Sequence, residues 1–280
     1  MEAWKAEFVE LLRSRDSDDW EEAYNLKANH VPSRVYRYRS LNAEHAWDNL
    51  KAQQEWLSKA GSFNDPFDSG PCFDRERMVR AKFEADLAAT KMDASFNVVV
   101  VQRETEQERR ERTETDSTRL REGLQDRVRA CCFSETLASV AMWAHYADCH
   151  RGICIEYPTD APTFSKTFAR ELHPVIYGAR RFDITDWLLS KDKSPGYTVA
   201  QAKLVAMHKA PDWAYEKEWR FIFPSTNLEW AVLNVPGPTA IYLGCRINPE
   251  HVERLNVLLP DVPLRRMRLA HRTYQMDVVE

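Results

Sequence analysis

Apolar and polar positions alternate with the period of a helix in the first 30 residues. Trp4 and Phe8 open a run whose apolar residues recur close to every 3.6 positions, which predicts an amphipathic helix. Ser17 is a candidate N-cap for a second helical piece over 18–29, because acidic residues fill the turn that follows it. Pro32 then ends the helical pattern.

The stretch VYRYRS, 35–40, changes to the two-residue period of a strand. Its side chains fall on two faces: Val35, Arg37 and Arg39 on one, Tyr36 and Tyr38 on the other. Two arginines on one face of an early strand are unusual. The pattern leaves open which arginine faces a ligand, because a slip of one residue exchanges the faces.

The rest of the chain mixes helical and strand patterns. Helices are predicted at 41–54, 74–95, 139–152, 198–210 and 248–260, and strands at 55–59, 129–135, 153–157, 175–178, 216–224, 240–247 and, as a last edge strand, 265–270. Residues 96–102, FNVVVVQ, fit a strand or part of a buried helix equally well. Asn42 and Asn248 are predicted N-caps, with Pro249 at the first helical position, and Gly152 is a predicted left-handed C-terminal cap.

Seven or eight short strands do not alternate regularly with helices, so a doubly wound parallel sheet is not expected. The pattern favours an α+β fold with a mixed, mostly antiparallel sheet, inserted helices and a helical N-terminal extension. We expect the extension to span 1–33 and one α+β domain to span 34–280, since no linker rich in Gly or Pro divides the chain. Residues 103–129 are charged and poor in apolar side chains, which predicts a variable helical insertion with a solvated face.

Composition then narrows the functional classes. A net charge of -4, from 39 basic and 43 acidic residues, gives no whole-chain argument for nucleic acid. No apolar run reaches the length of a membrane span and the N-terminus lacks a signal-peptide pattern, so we expect a soluble, cytoplasmic protein without a membrane partner. The six cysteines form no C-x-x-C pair, which predicts free thiols. Eight glycines leave little room for phosphate-binding loops, and neither G-x-x-x-x-G-K-[ST], G-x-G-x-x-G nor G-x-S-x-G occurs.

The stretch FNDPFD, 63–68, predicts a turn, because Asn and Asp side chains bond forward to the backbone and proline fixes φ. A turn does not need two aromatic rings, however. One interpretation is a structural corner with two buried rings. The other is the rim of a ligand site, in which Phe63 and Phe67 close an apolar wall. Asn64 and Asp65 then fix the turn or bond to the ligand.

The stretch WAYEKEWRF, 213–221, places Glu216, Glu218 and Arg220 on one face of a predicted strand. Such groups cost free energy if they are buried and unpaired. They form either an exposed face with an ion pair to an arginine of the early strand, or a catalytic E-x-E beside a ligand-binding arginine.

The stretch MWAHYADCHRGIC, 142–154, carries a third cluster. Trp143 and Tyr146 have the i, i+3 spacing of a helix face that packs into a core. His145 lies between them and is expected to point toward solvent or a cleft. The two histidines of this stretch lie five positions apart and share no helical face, so no metal site is expected here.

Five separated motifs follow one another along the chain: YRYRS, WLSKAGSFNDPFD, CFSE, MWAHYADCHRGICIEY and WAYEKEWRFIF. In this order they resemble the bacterial family known as domain of unknown function 2971, over about residues 34–224. The resemblance implies a protein of mobile or defence-associated bacterial genes, with a neutralising antitoxin or another defence-system protein as a partner. It implies no activity by itself.

The same motif order resembles the ADP-ribosyltransferases more distantly. This second resemblance implies an ADP-ribosyltransferase-like fold with an Arg or His on an early strand, then an aromatic and Ser element, then a Glu on a late strand. Arg37 or Arg39, Ser58 ahead of the FNDPFD loop, and Glu218 or Glu216 stand at those places.

By this resemblance the chain is an NAD-consuming enzyme, a toxin or phage-defence effector that transfers ADP-ribose to a protein or nucleic-acid acceptor, with NAD as co-substrate. Glu218 would stabilise the oxocarbenium-like state, and Arg39, the preferred arginine, would clamp the pyrophosphate. His145 would activate or orient the acceptor, while Tyr146 or Phe63 would stack on nicotinamide. Glu216 completes the expected catalytic set, and the remaining cofactor-binding residues are Arg37, Tyr38, Ser58, Asn64, Asp65 and Trp143.

Two other functions remain open on the residues alone. A metal-dependent nuclease or hydrolase would use Asp65, Asp68, Glu216 and Glu218 around a divalent ion, of which Mg²⁺ takes one or two protein carboxylates. A non-enzymatic sensor or partner-binding module of a defence system would use some of the nine tryptophans for recognition.

Overall fold

The computed structural model describes residues 2–92, 105–160, 164–224 and 232–279. Its α-helices are α1 Ala3–Arg13, α2 Ser17–Ala28, α3 Glu44–Ala52, α4 Arg75–Met92, α5 Glu106–Arg127, α6 Val140–Tyr146, α7 Phe164–Glu171, α8 Thr185–Leu189, α9 Pro195–Met207 and α10 Pro249–Leu258. Two 3₁₀-helices span Ala60–Ser62 and Pro211–Glu216. None of the helices in the described ranges is long and apolar enough to cross a membrane.

The strands are short and enter in a mixed order with the helices. They are β1 Arg34–Arg39, β2 Gln54–Trp56, β3 Ser58–Lys59, β4 Val128–Ser134, β5 Ile153–Pro158, β6 Leu172–Pro174, β7 Ile176–Tyr177, β8 His208–Lys209, β9 Glu218–Pro224, β10 Val232–Asn234, β11 Ala240–Leu243, β12 Leu264–Leu269 and β13 Met276–Val279.

One large open sheet organises the molecule. Its strand order is β13-β12-β11-β5-β1-β4-β9-β6, and β3 pairs with β4 beside this path. Every pairing in this sheet is antiparallel except that of β11 with β12, which is parallel. The expected α+β fold with a mixed, mostly antiparallel sheet is therefore confirmed.

The centre of the sheet opens between β1 and β4. β1 pairs with β5 along its whole length, from Arg34 with Pro158 to Arg39 with Ile153. With β4 it pairs only at Tyr36 and Ser134, while β4 runs on beside β9 over seven residues. The two central strands therefore separate beyond this single pair, and the separation leaves room for a cavity between them.

Apolar side chains cover both faces of the sheet. One face carries a core that includes Phe133, Ile155, Trp219 and Leu243, and α10 adds Leu255 to it. The other face carries two separate clusters. One joins Ala130 and Ile222 of the sheet to α1 and α9, and the other joins Tyr38 and Tyr242 to α6. The opening between β1 and β4 lies on this second face, in the part of the sheet that neither cluster covers.

The N-terminal helices pack onto the domain. Phe8 and Leu12 of α1 are buried in the cluster that α9 contributes to. Lys27 of α2 is almost completely buried, and its ammonium donates to backbone carbonyl oxygens of Ala169, Arg170 and Leu172 at the end of α7. The carbonyls of Ala169 and Arg170 lie in the last turn of α7 and have no partner inside the helix, so the cation both satisfies them and complements the helix dipole, whereas Leu172 is the first residue of β6.

Several local expectations need correction. Asp16, not Ser17, caps α2, by accepting from the Asp18 backbone N–H. Helix α3 begins at Glu44, without a side-chain cap from Asn42. β12 is not an edge strand, because β13 pairs with its outer side. Of the predicted elements, 96–102 lies outside the described residues, whereas Asn248 does cap α10, with Pro249 at its first position.

Gly152 is not a left-handed cap. Helix α6 ends at Tyr146, and the left-handed residues that follow are Asp148, Cys149 and His150. Glycine is required at 152 for another reason. A Cβ there would lie 2.2 Å from the Arg39 carbonyl oxygen, closer than real contacts allow.

Candidate functional site

A cavity of about 350 Å³ lies where β1 and β4 part. That volume is within the range of small-molecule sites. Nine of the predicted site residues line it: Arg37, Tyr38, Ser58, Phe63, Asn64, His145, Tyr146, Glu216 and Glu218. They come from four of the five sequence motifs, so the fold brings together residues up to 181 positions apart. Asp68, Lys209 and Arg220 line the cavity as well.

The Glu218 cluster, made of Asp68, Lys209, Glu216, Glu218 and Arg220, forms one wall of this cavity. Arg220 is fully buried and holds Asp68 with two parallel bonds, Nη1 to Oδ1 at 2.7 Å and Nη2 to Oδ2 at 2.6 Å. The same guanidinium donates to Glu218 at 2.7 and 3.0 Å. Arginine suits this place because its planar fork serves two carboxylates at once.

Lys209 lies among the three carboxylates of this cluster. Its Nζ is 2.6 Å from Glu216 Oε2, 3.0 Å from Glu218 Oε2 and 3.7 Å from Asp68 Oδ2. The ammonium also lies 4.9 Å from the centre of the Trp213 ring, an arrangement typical of a cation–π contact. The Lys209 ammonium therefore occupies the position that a metal cation shared by the three carboxylates would take.

A backbone feature explains why both glutamates face the cluster. Glu216 ends a 3₁₀-helix, rather than belonging to a strand as expected, and Glu218 begins β9. Lys217 between them adopts a left-handed conformation with φ 43°. Such a conformation is costly for a residue with a side chain, and residues held in this way concentrate at functional sites.

The two glutamates differ in their acidity. Burial alone raises the pKa of the Glu218 carboxyl, but Arg220 and Lys209 outweigh it and hold that pKa well below the usual range. Burial and the neighbouring Glu218 charge raise the pKa of Glu216, and the contact with Lys209 offsets only part of the rise. A neighbouring pair of carboxyl groups, one with a raised pKa and one with a lowered pKa, is the arrangement that acid–base chemistry uses.

Tyr146 and Asn64 connect Glu216 to the cavity. The Tyr146 hydroxyl donates to Glu216 Oε1 at 2.7 Å, and Asn64 Nδ2 donates to the Tyr146 oxygen at 3.1 Å. Burial and the bond to Glu216 raise the pKa of Tyr146, so its hydroxyl keeps its proton. The predicted stacking role of Tyr146 is untested, and the structure gives its hydroxyl a second role in holding Glu216.

The Glu55 cluster, made of Arg37, Arg39, Glu55 and Tyr157, lies on the opposite face of the sheet. Glu55 is completely buried, and its carboxylate lies 3.3 Å from Arg37 Nε and 2.8 Å from Arg39 Nη2. The Tyr157 hydroxyl donates to it at 2.7 Å. The arginines of β1 thus pair with Glu55, and the expected ion pair between them and the late glutamates does not form.

Arg37 alone of this arginine pair lines the cavity. Its Nη1 donates to the Cys132 carbonyl oxygen, and Nη2 has no hydrogen bond among the described residues and is not enclosed. Arg39, which the resemblance favours as the residue that clamps the pyrophosphate, lies outside the cavity. Its Nη1 is buried without a partner in the described ranges. The parting of β1 from β4 is what lets Arg37 reach the cavity.

The stretch FNDPFD forms a turn, and part of it lines the cavity. Asp65 Oδ1 accepts from the Phe67 backbone N–H at 2.8 Å, as the turn prediction requires, and Asp65 does not line the cavity. Phe67 is 58% exposed and lies against Arg181, so it does not close the wall. Phe63 does line the cavity, where it packs beneath the Arg220 guanidinium. Asp68, the last residue of the stretch, supplies the buried carboxylate.

Two further predicted residues lie elsewhere or have other partners. Trp143 is fully buried in the core, where its indole N–H donates to the Leu137 carbonyl oxygen, so it does not line the cavity. Tyr38 lines the cavity, but its hydroxyl is engaged with the Thr136 carbonyl oxygen at 2.7 Å. His145 is exposed at the cavity mouth.

Within the described ranges, no group of three or more His, Cys, Asp or Glu side chains has the geometry of a metal site.

Comparison with known families gives one match. The model of the family described as protein of unknown function (DUF2971) matches residues 142–221. This match supports the resemblance to domain of unknown function 2971 that the sequence motifs imply. The matched segment includes His145, Tyr146, Lys209, Glu216 and Glu218, and so covers most of the charged wall of the cavity. No curated protein and no solved structure matches the chain.

Proposed function

We propose that the cavity between β1 and β4 is the catalytic site of an NAD-consuming ADP-ribosyltransferase-like enzyme. One observation carries the proposal. An arginine from an early strand, a serine before the FNDPFD loop and the glutamate pair at the start of a late strand all line one cavity. This is the set of positions that the resemblance to ADP-ribosyltransferases implies, and the fold itself is proposed to be of that type.

The geometry refines the proposed roles. Arg37, whose Nη2 is open, replaces Arg39 as the residue that binds the pyrophosphate. Glu218, fixed and ionised by its two cations, stabilises positive charge that develops on the ribose as the bond to nicotinamide breaks. Glu216, with its raised pKa, accepts the proton that the acceptor nucleophile loses when it bonds to the ribose carbon.

The experiment is nicotinamide release from NAD by the purified full chain, measured alone and with added protein or nucleic-acid acceptors. We expect Glu218→Gln to remove turnover while its melting temperature shows a folded protein. Arg37→Lys should raise KM more than Arg39→Lys does, because only Arg37 reaches the cavity. Turnover that survives in Glu218→Gln contradicts the assigned role of Glu218. Absence of release under all acceptor conditions contradicts the proposed reaction.

A metal-dependent hydrolase is the second candidate, because three carboxylates, Asp68, Glu216 and Glu218, converge. It is less favoured, since the Lys209 ammonium already lies among them and Asp65, the fourth predicted ligand, does not line the cavity. A chelator separates the two candidates. Nicotinamide release that is unaffected by chelator supports the transferase, and nuclease activity that chelator removes supports the hydrolase.

A further inference from the structure

A second cavity, of about 450 Å³, is built on two strands, β4 and β9, that also line the first cavity. On β9, Glu218 and Arg220 line the first cavity, whereas Phe223 and Pro224 line the second. Its other walls come from α8, α9 and the end of α5. None of the residues discussed above as catalytic or binding candidates belongs to it, so it needs a separate explanation.

The walls of this second cavity are mainly apolar. Val128, Ile184 and Val205 form its buried lining, and the half-buried Trp187 adds an aromatic surface. Two large apolar side chains at its mouth remain open to solvent, Val199 at 39% and Phe223 at 42% exposed. A concave apolar surface of this size with a few polar groups is typical of a ligand site.

Gln201 is the polar group that points to a ligand. Thr198, Gln201, Ala202 and Val205 share one face of α9 by their i, i+3, i+4 and i+7 spacing, and all line the cavity. Gln201 is only 6% exposed, and its amide makes no hydrogen bond to any described residue. Neither amide atom is fully enclosed, so the open side is the cavity that Gln201 lines. Solvent in the cavity can bond to this amide in the free protein, so a ligand that displaces the solvent must replace those hydrogen bonds.

Arg127 adds a positive charge beside the same cavity. It is the last residue of α5, its side chain is exposed, and it has no ion pair or hydrogen bond within the part of the chain that the structure describes. The end of a helix favours a cation, and the free guanidinium offers several donors to an anion. The other polar groups of the lining residues are the Thr198 hydroxyl and the Trp187 indole N–H, which is buried without a partner among the described residues. One cation and a few neutral donors in an apolar cavity match one small anionic group, whereas a nucleotide would need more polar partners.

We propose that this second cavity binds an amphipathic carboxylic acid. The carboxylate accepts hydrogen bonds from Gln201 Nε2 or from the Arg127 guanidinium, and the apolar body lies against Trp187 and Phe223. A purely apolar ligand would leave the Gln201 amide unsatisfied, which is why the acid is preferred. The proposal does not depend on the reaction at the first cavity.

Isothermal titration of the full chain with decanoate, below its micelle concentration, tests the proposal, with decanol as the matched uncharged ligand. We expect decanoate to bind with one equivalent per chain and decanol to bind at least about tenfold more weakly. Val199→Glu, a substitution at a partly exposed position, should abolish decanoate binding by placing a like charge at the mouth. No binding of decanoate, equal binding of decanol, or unchanged binding in Val199→Glu would each overturn the proposal.

Two further variants identify the donor and exclude a structural role. Gln201→Leu and Arg127→Gln each remove one candidate donor, and at least one should weaken decanoate binding by about tenfold. Gln201→Leu should leave the melting temperature of the free protein unchanged or raised, since the Gln201 amide makes no hydrogen bond to any described residue that the variant would lose. If both variants bind decanoate as tightly as the parent chain, neither group holds the carboxylate and the proposal is wrong. Nicotinamide release is followed in parallel, because its presence or absence bears on the first cavity alone.

Discussion

The two buried ion clusters of this protein differ in how their charges are matched. In the Glu55 cluster, two guanidinium charges face a single carboxylate, which a tyrosine hydroxyl also supports. In the Glu218 cluster, three carboxylates face two cations, so one negative charge is in excess. The first cluster lies behind the cavity and shares only Arg37 with it, while every member of the second lines it.

The excess carboxylate distinguishes the Glu218 cluster, a candidate functional site, from the Glu55 cluster, which has a structural role. Glu216 carries it, and the raised pKa of Glu216 shows that its surroundings do not fully stabilise the charged form. In the Glu55 cluster the single carboxylate has three donors and no competing acid. A perturbed acid beside a cavity is a candidate for function, whereas a saturated carboxylate fixes the position of β1.

Replacing Arg220 should have the largest effect. Arg220→Met leaves Asp68 and Glu218 buried and without their main partner, which should lower the free energy of unfolding by about 3–5 kcal/mol. Urea unfolding followed by circular dichroism measures this. Arg151→Met, which breaks an exposed pair with Asp148, is the control and should cost less than about 1 kcal/mol. Equal losses in the two variants would show that the Glu218 cluster is not a stabilising unit.

Replacing Arg39 should have a smaller effect, although it too removes a buried arginine. Arg39→Met leaves Glu55 with bonds from Arg37 and Tyr157, and it removes the buried, unpartnered Nη1. We expect a loss of about 1–2 kcal/mol in the same urea experiment. A loss as large as that of Arg220→Met would remove the distinction between the clusters.

The two glutamates of the Glu218 cluster should respond to pH with opposite signs. Because the pKa of Glu218 is lowered on folding, its contribution is present above the unfolded pKa and is lost as the pH falls through the lower folded value. The unfolding free energy of the parent chain, minus that of Glu218→Gln, should therefore rise with pH below about 4.3.

Because the pKa of Glu216 is raised on folding, its ionisation costs stability as the pH rises above about 4.3. The unfolding free energy of the parent chain, minus that of Glu216→Gln, should fall over that range. Each change is expected to be on the order of 1 kcal/mol. Urea titrations between pH 3 and 7 measure both differences. Slopes of the same sign would contradict the separated pKa values.

Removing the Tyr146 hydroxyl should have the smallest effect. Tyr146→Phe takes one donor from Glu216, so the pKa of Glu216 should rise further and stability at neutral pH should fall by about 0.5–1 kcal/mol. The pH range over which Glu216 titrates should move upward, as the same titrations detect. Tyr215→Phe, at a more exposed neighbour, is the control and should leave that range in place. An unmoved range in Tyr146→Phe would show that the hydroxyl does not support Glu216.

Local patterns predicted much of this arrangement. The alternation in VYRYRS placed Arg37 and Arg39 on one face, and both indeed contact Glu55. The helix signal of Asn248 and Pro249 gave the correct start of α10. Such predictions succeed because the determining contacts lie within a few residues of each other, where periodicity and capping preferences act directly.

The partners across the sheet were not predictable in this way. Asp68 and Arg220 lie 152 positions apart, and nothing local to Asp68 signals a buried carboxylate. Lys209 follows a helix and resembles a surface residue in sequence, yet it lies at the centre of three carboxylates. Local patterns also could not indicate which arginine of β1 reaches the cavity, since that depends on where β1 separates from β4.

The position of β1 has a consequence for how the chain is made. This central strand leaves the ribosome before its full-length partner β5, which begins at Ile153, 114 positions after Arg39. At ordinary translation speeds of about 5–20 residues per second, β1 waits on the order of ten seconds for that partner. Its apolar side chains, such as Val35 and Tyr38, stay unburied during that interval. The nascent chain should therefore offer a chaperone-binding segment at β1 until β5 is synthesised.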